Sequence, residues 1–257
     1  MIKHIQSAPP IWEYPSYSPT QKVAIFVPCY IDQFFPHVAQ AMVEILDRLG
    51  VKVDFPPEQT CCGQPAFNSG AWDEARKVVR PFAKAFEPYD WVICPSGSCT
   101  AMARVFFEHL FPDDPSITNV GKCVVEFTEF LVNVLGVTDL GAKFSHKVTL
   151  HIGCHGRREL GIVNQPVELL KNVKGLTYCP LPEMEDCCGF GGTFSVKFPN
   201  ISIDMGRRKV QNIAASGAEV VCSIDSSCIM HFGGIMQLDP EMKKIKTMHI
   251  AEILNCR

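Results

Sequence analysis

Several features are scarce in this 257-residue sequence, and each absence narrows the function. No block of lysine and arginine appears: 24 basic and 27 acidic side chains are interleaved, with a formal net charge of -3. That balance speaks against a nucleic-acid partner. No apolar run approaches the roughly 20 residues that cross a bilayer, so the chain is not expected to be membrane-spanning. The first 20 residues carry Pro9, Pro10, Pro15 and Pro19 among three aromatic side chains. They lack the apolar centre of a secretory signal, and read as an extended arm that packs on the body or on a partner. Gly191-Gly192 and Gly233-Gly234 do not form a Gly-x-Gly-x-x-Gly fingerprint, so no flavin or nicotinamide site is expected. The paired CxxC knuckles of structural zinc sites are also missing.

What the sequence does have is cysteine, thirteen in all. An odd number cannot all be paired, and nothing in the sequence points to secretion, so a disulfide framework is not expected. In the reducing cytoplasm this many thiols points to metal or redox chemistry, with some buried cysteines serving only as small apolar side chains.

The cysteines belong to a pattern that is written twice. In the first half an apolar strand, Val23 to Val27, ends in Pro28-Cys29-Tyr30. A helical stretch and a short strand, Val51 to Phe55, lead to Cys61-Cys62-Gly63. A helix from about Ala71 to Phe86 follows. The strand Trp91-Val92-Ile93 then opens into Cys94-Pro95-Ser96-Gly97-Ser98-Cys99. In the second half the strand Val148 to Ile152 ends in Gly153-Cys154-His155. A segment from Leu176 to Leu181 leads to Cys187-Cys188-Gly189. A helix spans about Ile203 to Ala215, and the strand Glu219-Val220-Val221 opens into Cys222 and then Asp225-Ser226-Ser227-Cys228. Cys154 lies 125 positions after Cys29, Cys187 and Cys188 lie 126 after Cys61 and Cys62, and Cys228 lies 129 after Cys99. The segment from Glu126 to Leu131 matches that from His249 to Leu254 in the same way.

Short apolar strands alternating with amphipathic helices predict an α/β fold of two tandem, pseudo-symmetric modules with short, mostly parallel sheets. The expected division is an arm over 1–20, a first repeat over 21–143 and a second over 144–257. In such folds sites form beyond the carboxyl ends of strands, where Cys29, Cys99, Cys154 and Cys228 fall. Each repeat can therefore bring four thiols together: Cys29, Cys61, Cys62 and Cys99 in one, and Cys154, Cys187, Cys188 and Cys228 in the other. Soft thiolates select iron–sulfur clusters, zinc or Cu(I), and four of them suit a [4Fe–4S] cluster. Adjacent cysteines fit a cluster with several irons better than a single metal ion. Two alternatives remain: a zinc-stabilised scaffold subunit, and a thiol/disulfide redox protein that uses the vicinal pairs.

The Cys…Cys-Cys-Gly…Cys pattern, present twice, resembles the cysteine-rich CCG domains found in heterodisulfide reductase. Over nearly the whole chain after residue 20 it resembles the lactate utilization protein A family. The segments carrying the likeness are Pro28-Cys29-Tyr30, Cys61-Cys62-Gly63-Gln64-Pro65, Pro95-Ser96-Gly97-Ser98-Cys99 and the run from Cys187 to Lys197, completed by Asp225 to Cys228. The resemblance implies an iron–sulfur electron-transfer subunit of a cytoplasmic oxidoreductase complex that oxidises L-lactate, a small 2-hydroxy acid, to pyruvate. It implies a ferredoxin-like iron–sulfur subunit and a third subunit as partners. It also implies two [4Fe–4S] clusters, cubane or noncubane. The heterodisulfide reductase repeat ends in CxxC. Here the first cysteine of that pair is replaced by Ser96 and by Asp225, which leaves four matched cysteines per repeat. Cys94 and Cys222, spaced 128 apart, are second-tier ligand candidates, as are Ser96, Asp225 and His155. No catalytic residue is assigned.

Overall fold

The computed structural model describes residues 12–257. The expected arm over 1–20 thus lies outside the described residues over 1–11. Its later part runs along the first module. Trp12 and Tyr14 cover the Arg104 guanidinium, at 5.0 and 5.6 Å from the ring centres, and Tyr17 packs against Phe130.

Two parallel sheets form the frame. The first has the order β1 (Val23–Ile25), β2 (Trp91–Cys94), β3 (Val124–Glu126). The second contains β4 (Lys147–His151), β5 (Thr177–Tyr178), β6 (Val220–Ser223) and β7 (Lys246–His249), in the order β5-β4-β6-β7. Every described strand pairing is parallel, as expected of strands joined by helical crossovers. The predicted strand over Val51 to Phe55 is reduced to one bridge, Ala24 to Asp54. Pro56 and Pro57 follow immediately and have no N–H to extend the ladder. Its counterpart, β5, is only two residues long and is cut off by Pro180 in the same way. With that bridge counted as an edge, the two sheets have the same order.

The helices follow from the apolar spacing. Trp72–Phe86 buries Ala75, Val79, Phe82, Ala83 and Phe86 on one face, with Asp73 and Glu74 in its first turn and Lys84 in its last, the charge order a helix dipole favours. Its counterpart Pro199–Ala215 starts on proline at the first turn, where the missing N–H costs nothing.

The largest apolar core draws on both repeats, from Val23 and Ile45 to Leu150 and Leu254, and each repeat has a smaller core of its own. Each large aliphatic or aromatic side chain fully buried there contributes roughly 1.5–3 kcal/mol. The contacts between repeats are reciprocal. Helix Pro36–Arg48 packs on Ile250–Asn255, and the repeat-equivalent Asn164–Lys171 packs on Phe127–Val134. This is the geometry of a pseudo-twofold axis. No helix among the described residues is long and apolar enough to cross a membrane.

Candidate functional site

The turns after β1, β2, β4 and β6 and the two Cys-Cys-Gly turns face one another across that axis. They enclose a cleft with about 830 Å³ of empty space, part of it open to solvent. All eight repeat-matched cysteines line this one cleft: Cys29, Cys61, Cys62, Cys99, Cys154, Cys187, Cys188 and Cys228. Both repeats use the same division of labour. Cys62, Cys99, Cys188 and Cys228 are buried, while Cys29, Cys61, Cys154 and Cys187 are more open. All thirteen cysteines of the chain are free thiols.

The sulfurs are already drawn together. Cys29 Sγ lies 3.9 Å from Cys61 Sγ, and Cys188 donates to Cys228 Sγ at 3.0 Å. In each repeat the first cysteine of the vicinal pair is the one whose thiol is made more acidic. Hydrogen bonds from Cys29 and Cys62, with help from the Gly63 N–H, hold Cys61 down to about 3. The neighbouring Cys154 and Cys188 thiols, and the Gly189 N–H, hold Cys187 down to about 2. The donors Cys29 and Cys154 are pushed up, chiefly by the same hydrogen bonds and then by burial. Gly63 and Gly189 have φ of +84° and +90°, a conformation that side-chain-bearing residues rarely adopt. It turns their N–H groups back onto Cys61 Sγ at 3.5 Å and Cys187 Sγ at 3.3 Å.

The second-tier candidates separate. Cys94 and Cys222 end up in apolar cores, both fully buried, and do not line the cleft. Both sit on strands, one in β2 and one in β6, and burial raises both thiols. Ser96 and Asp225 line the cleft and bond to each other, and Asp225 also accepts from the Ser98 hydroxyl and N–H. Burial pushes the Asp225 carboxyl up, and its second oxygen has no partner. His155 lines the cleft with Nδ1 3.4 Å from Glu159, which raises it against the opposing effect of burial.

One residue behind the cleft lining was not anticipated. His151, at the end of β4, is fully buried, and a ring nitrogen lies within 4.8 Å of both Cys188 and Cys228 Sγ. It ends a strand three positions before Cys154, and in the sequence reads as one of two polar side chains, with Thr149, in an apolar run.

A group bound in this cleft would meet two sets of four thiols, the backbone of Gly153, Gly191 and Gly192, and buried polar atoms that lack partners, Asp225 Oδ2 and Ser226 Oγ among them. Soft donors in such number fit a metal centre, and a cluster better than a hard cation. The protein class defined by this fold and site is a tandem repeat of a cysteine-rich module. The pattern of the CCG family, "Cysteine-rich domain", matches residues 23–104 and again residues 148–233. Curated relatives narrow this further. Lactate utilization protein A of Bacillus subtilis (strain 168) is 48% identical over 240 residues, covering 92% of this chain and 100% of that one. Lactate utilization protein A of Exiguobacterium sp. (strain ATCC BAA-1283 / AT1b) is 50% identical over 240 residues, covering 91% of this chain and 96% of that one. The chain belongs to the lactate utilization protein A family. Among solved structures, a hypothetical protein from Helicobacter pylori superimposes with a TM-score of 0.57 at 13% identity. It shares the fold over 93% of this chain, which spans 49% of the length of that one.

Proposed function

We propose that this chain holds an iron–sulfur cluster, of the [4Fe–4S] type, at each cysteine set. As a subunit of a cytoplasmic oxidoreductase complex it would carry electrons taken from L-lactate. The observation that carries this is the convergence of two equivalent four-thiol sets, Cys29, Cys61, Cys62 and Cys99 with Cys154, Cys187, Cys188 and Cys228, on one cleft. The name of the relatives, lactate utilization protein A, supports the substrate. Oxidation of the hydroxy acid to pyruvate releases two electrons and two protons, so a carrier with two one-electron centres in one cleft suits the reaction.

When bound, such clusters supply one-electron carriers whose potential depends on net charge, on hydrogen bonds to sulfur and on solvent exposure. The chain sets the last two. The Gly63 and Gly189 N–H groups point at the Cys61 and Cys187 sulfurs. The buried thiols keep water from one side of each set, and the open thiols leave the other side accessible. Tyr30 of the first repeat and Phe190 of the second meet edge to face at 5.5 Å between ring centres at the cleft, closing part of its wall. A ferredoxin-like iron–sulfur subunit and a third subunit complete the complex in this scheme.

The test is anaerobic purification followed by iron, acid-labile sulfide and zinc analysis. About eight irons with matching sulfide are expected. Roughly two zinc ions per chain without sulfide would point instead to a scaffold subunit. Metal-free protein whose thiol count changes with oxidant would point to a vicinal-thiol redox protein.

A further inference from the structure

The two cysteine sets differ in what lies behind them. His151, three residues before Cys154, occupies the place that Phe26 holds before Cys29. The buried positions of Trp72–Phe86 and Pro199–Ala215 also match one for one at a constant spacing of 127, which places Lys209 where the first repeat has Phe82. In the first repeat Phe26 and Phe82 pack edge to face at 4.9 Å, an apolar backing. In the second, a histidine and a lysine take those two positions, and both are fully buried.

The lysine is accounted for. Its ammonium donates to the Glu183 carbonyl at 2.9 Å, and Glu183 itself adopts a left-handed backbone, φ 46°, to present that oxygen. The histidine is not. Neither ring nitrogen has a hydrogen-bond partner, although an imidazole carries polar groups that a closed interior leaves unpaired only rarely. Phe232 meets the ring edge to face at 5.8 Å and supplies no polar atom. What lies within reach is sulfur: a ring nitrogen, Cys188 Sγ and Cys228 Sγ are mutually within 4.8 Å. Imidazole beside thiolate is an established donor set for iron and zinc.

We propose that His151 is a nitrogen ligand of the metal centre in the second repeat. The two sites are then inequivalent: all-thiolate with an apolar backing in the first, mixed thiolate and imidazole in the second. This rests on the cluster occupancy proposed above.

The experiment is pulsed EPR on the full chain, purified anaerobically with 15N-histidine and recorded in oxidised and reduced states. A directly bound 15N coupled to one centre is expected. It should vanish in His151→Phe, which installs the first-repeat residue, and persist in His155→Gln. Iron-loaded wild-type protein in which both centres give signals and neither shows histidine coupling overturns the proposal while leaving cluster binding intact, and so does a coupling that survives His151→Phe. If the second centre is silent in both states, the absorption spectrum and the iron and sulfide content of His151→Phe decide. A changed spectrum or loss of about half the iron, the share of one of two four-iron sites, supports the ligand. Unchanged values overturn it. Wild-type protein without iron overturns both this ligand and the proposed function.

Discussion

Ser96 and Asp225 stand at equivalent positions of the two repeats, and they bond to each other: Ser96 Oγ donates to Asp225 Oδ1 at 2.8 Å across the interface. The Ser98 hydroxyl and N–H converge on the same oxygen at 2.7 and 3.2 Å. The positions that depart from the CxxC pattern are thus the ones that join the halves, directly beside the cysteines of both.

Asp225→Ala should therefore loosen the interface. It removes the acceptor shared by the Ser96 hydroxyl and the Ser98 hydroxyl and N–H, leaving only the 3.2 Å contact between the two hydroxyls, a loss on the order of 1–3 kcal/mol. Denaturant unfolding of the anaerobic protein reads it, and Asp225→Asn, which keeps an acceptor oxygen, should recover part of the loss. Equal stability of Asp225→Ala and wild type would show that the cross-repeat bonds contribute nothing.

Alanine at the two Cys-Cys-Gly turns should do unequal harm. At Gly63 an added Cβ would meet Val79 Cγ2 at 3.2 Å. At Gly189 it would meet the Ser202 carbonyl at 2.6 Å and Met205 Cβ at 2.8 Å. Both substitutions carry the left-handed penalty of about 1–2 kcal/mol, and only Gly189→Ala adds a backbone clash. A thermal melt should rank the proteins wild type, Gly63→Ala, Gly189→Ala in falling order; the reverse order would contradict the packing at Ser202.

Cysteine substitutions should divide by place in the fold. Cys62→Ser and Cys188→Ser should each lose about half the iron, since each belongs to one four-thiol set. Cys94→Ala and Cys222→Ala, whose sulfurs sit in apolar cores, should retain it. Iron analysis under anaerobic conditions distinguishes these, and loss of iron in Cys94→Ala would place that thiol in the ligand set.

Glu126 gives the fold a pH dependence. It is fully buried at the end of β3, and burial pushes its carboxyl up to about 8, against the opposing hydrogen bonds of Thr128. A raised acid holds its proton longer in the folded chain than in the unfolded one. Its contribution to stability is therefore complete below about 4.5, the unfolded value, and is lost as pH rises towards 8. Glu126→Gln should flatten the fall in unfolding free energy between those limits. A slope unchanged by Glu126→Gln would assign the dependence to other groups.

Much of this protein was legible in its sequence. The in-register repeat fixed two α/β modules, because strand, turn and helix lengths recur with the cysteines, and local periodicity reports local structure. It also picked out the eight cysteines that line the cleft, since each follows a strand or precedes a helix where an α/β fold opens its sites. The strand over Val51 to Phe55 was overestimated because its apolar residues were given more weight than the Pro56-Pro57 pair that stops the ladder after Asp54. β3 and β7 escaped notice because three or four residues are too few to show a period.

Tertiary structure alone decided the rest. Cys94 and Ser96 are two residues apart, yet one sulfur enters an apolar core while the other side chain reaches across to Asp225. The chain leaves the strand between them, and only packing against the second repeat sets where each then points. That both four-thiol sets share one cleft, and that His151 comes to rest against Cys188 and Cys228, depends on contacts between segments distant in the chain. Spacing along a chain determines which residues share an element; which elements meet is determined by the apolar surfaces they bury together.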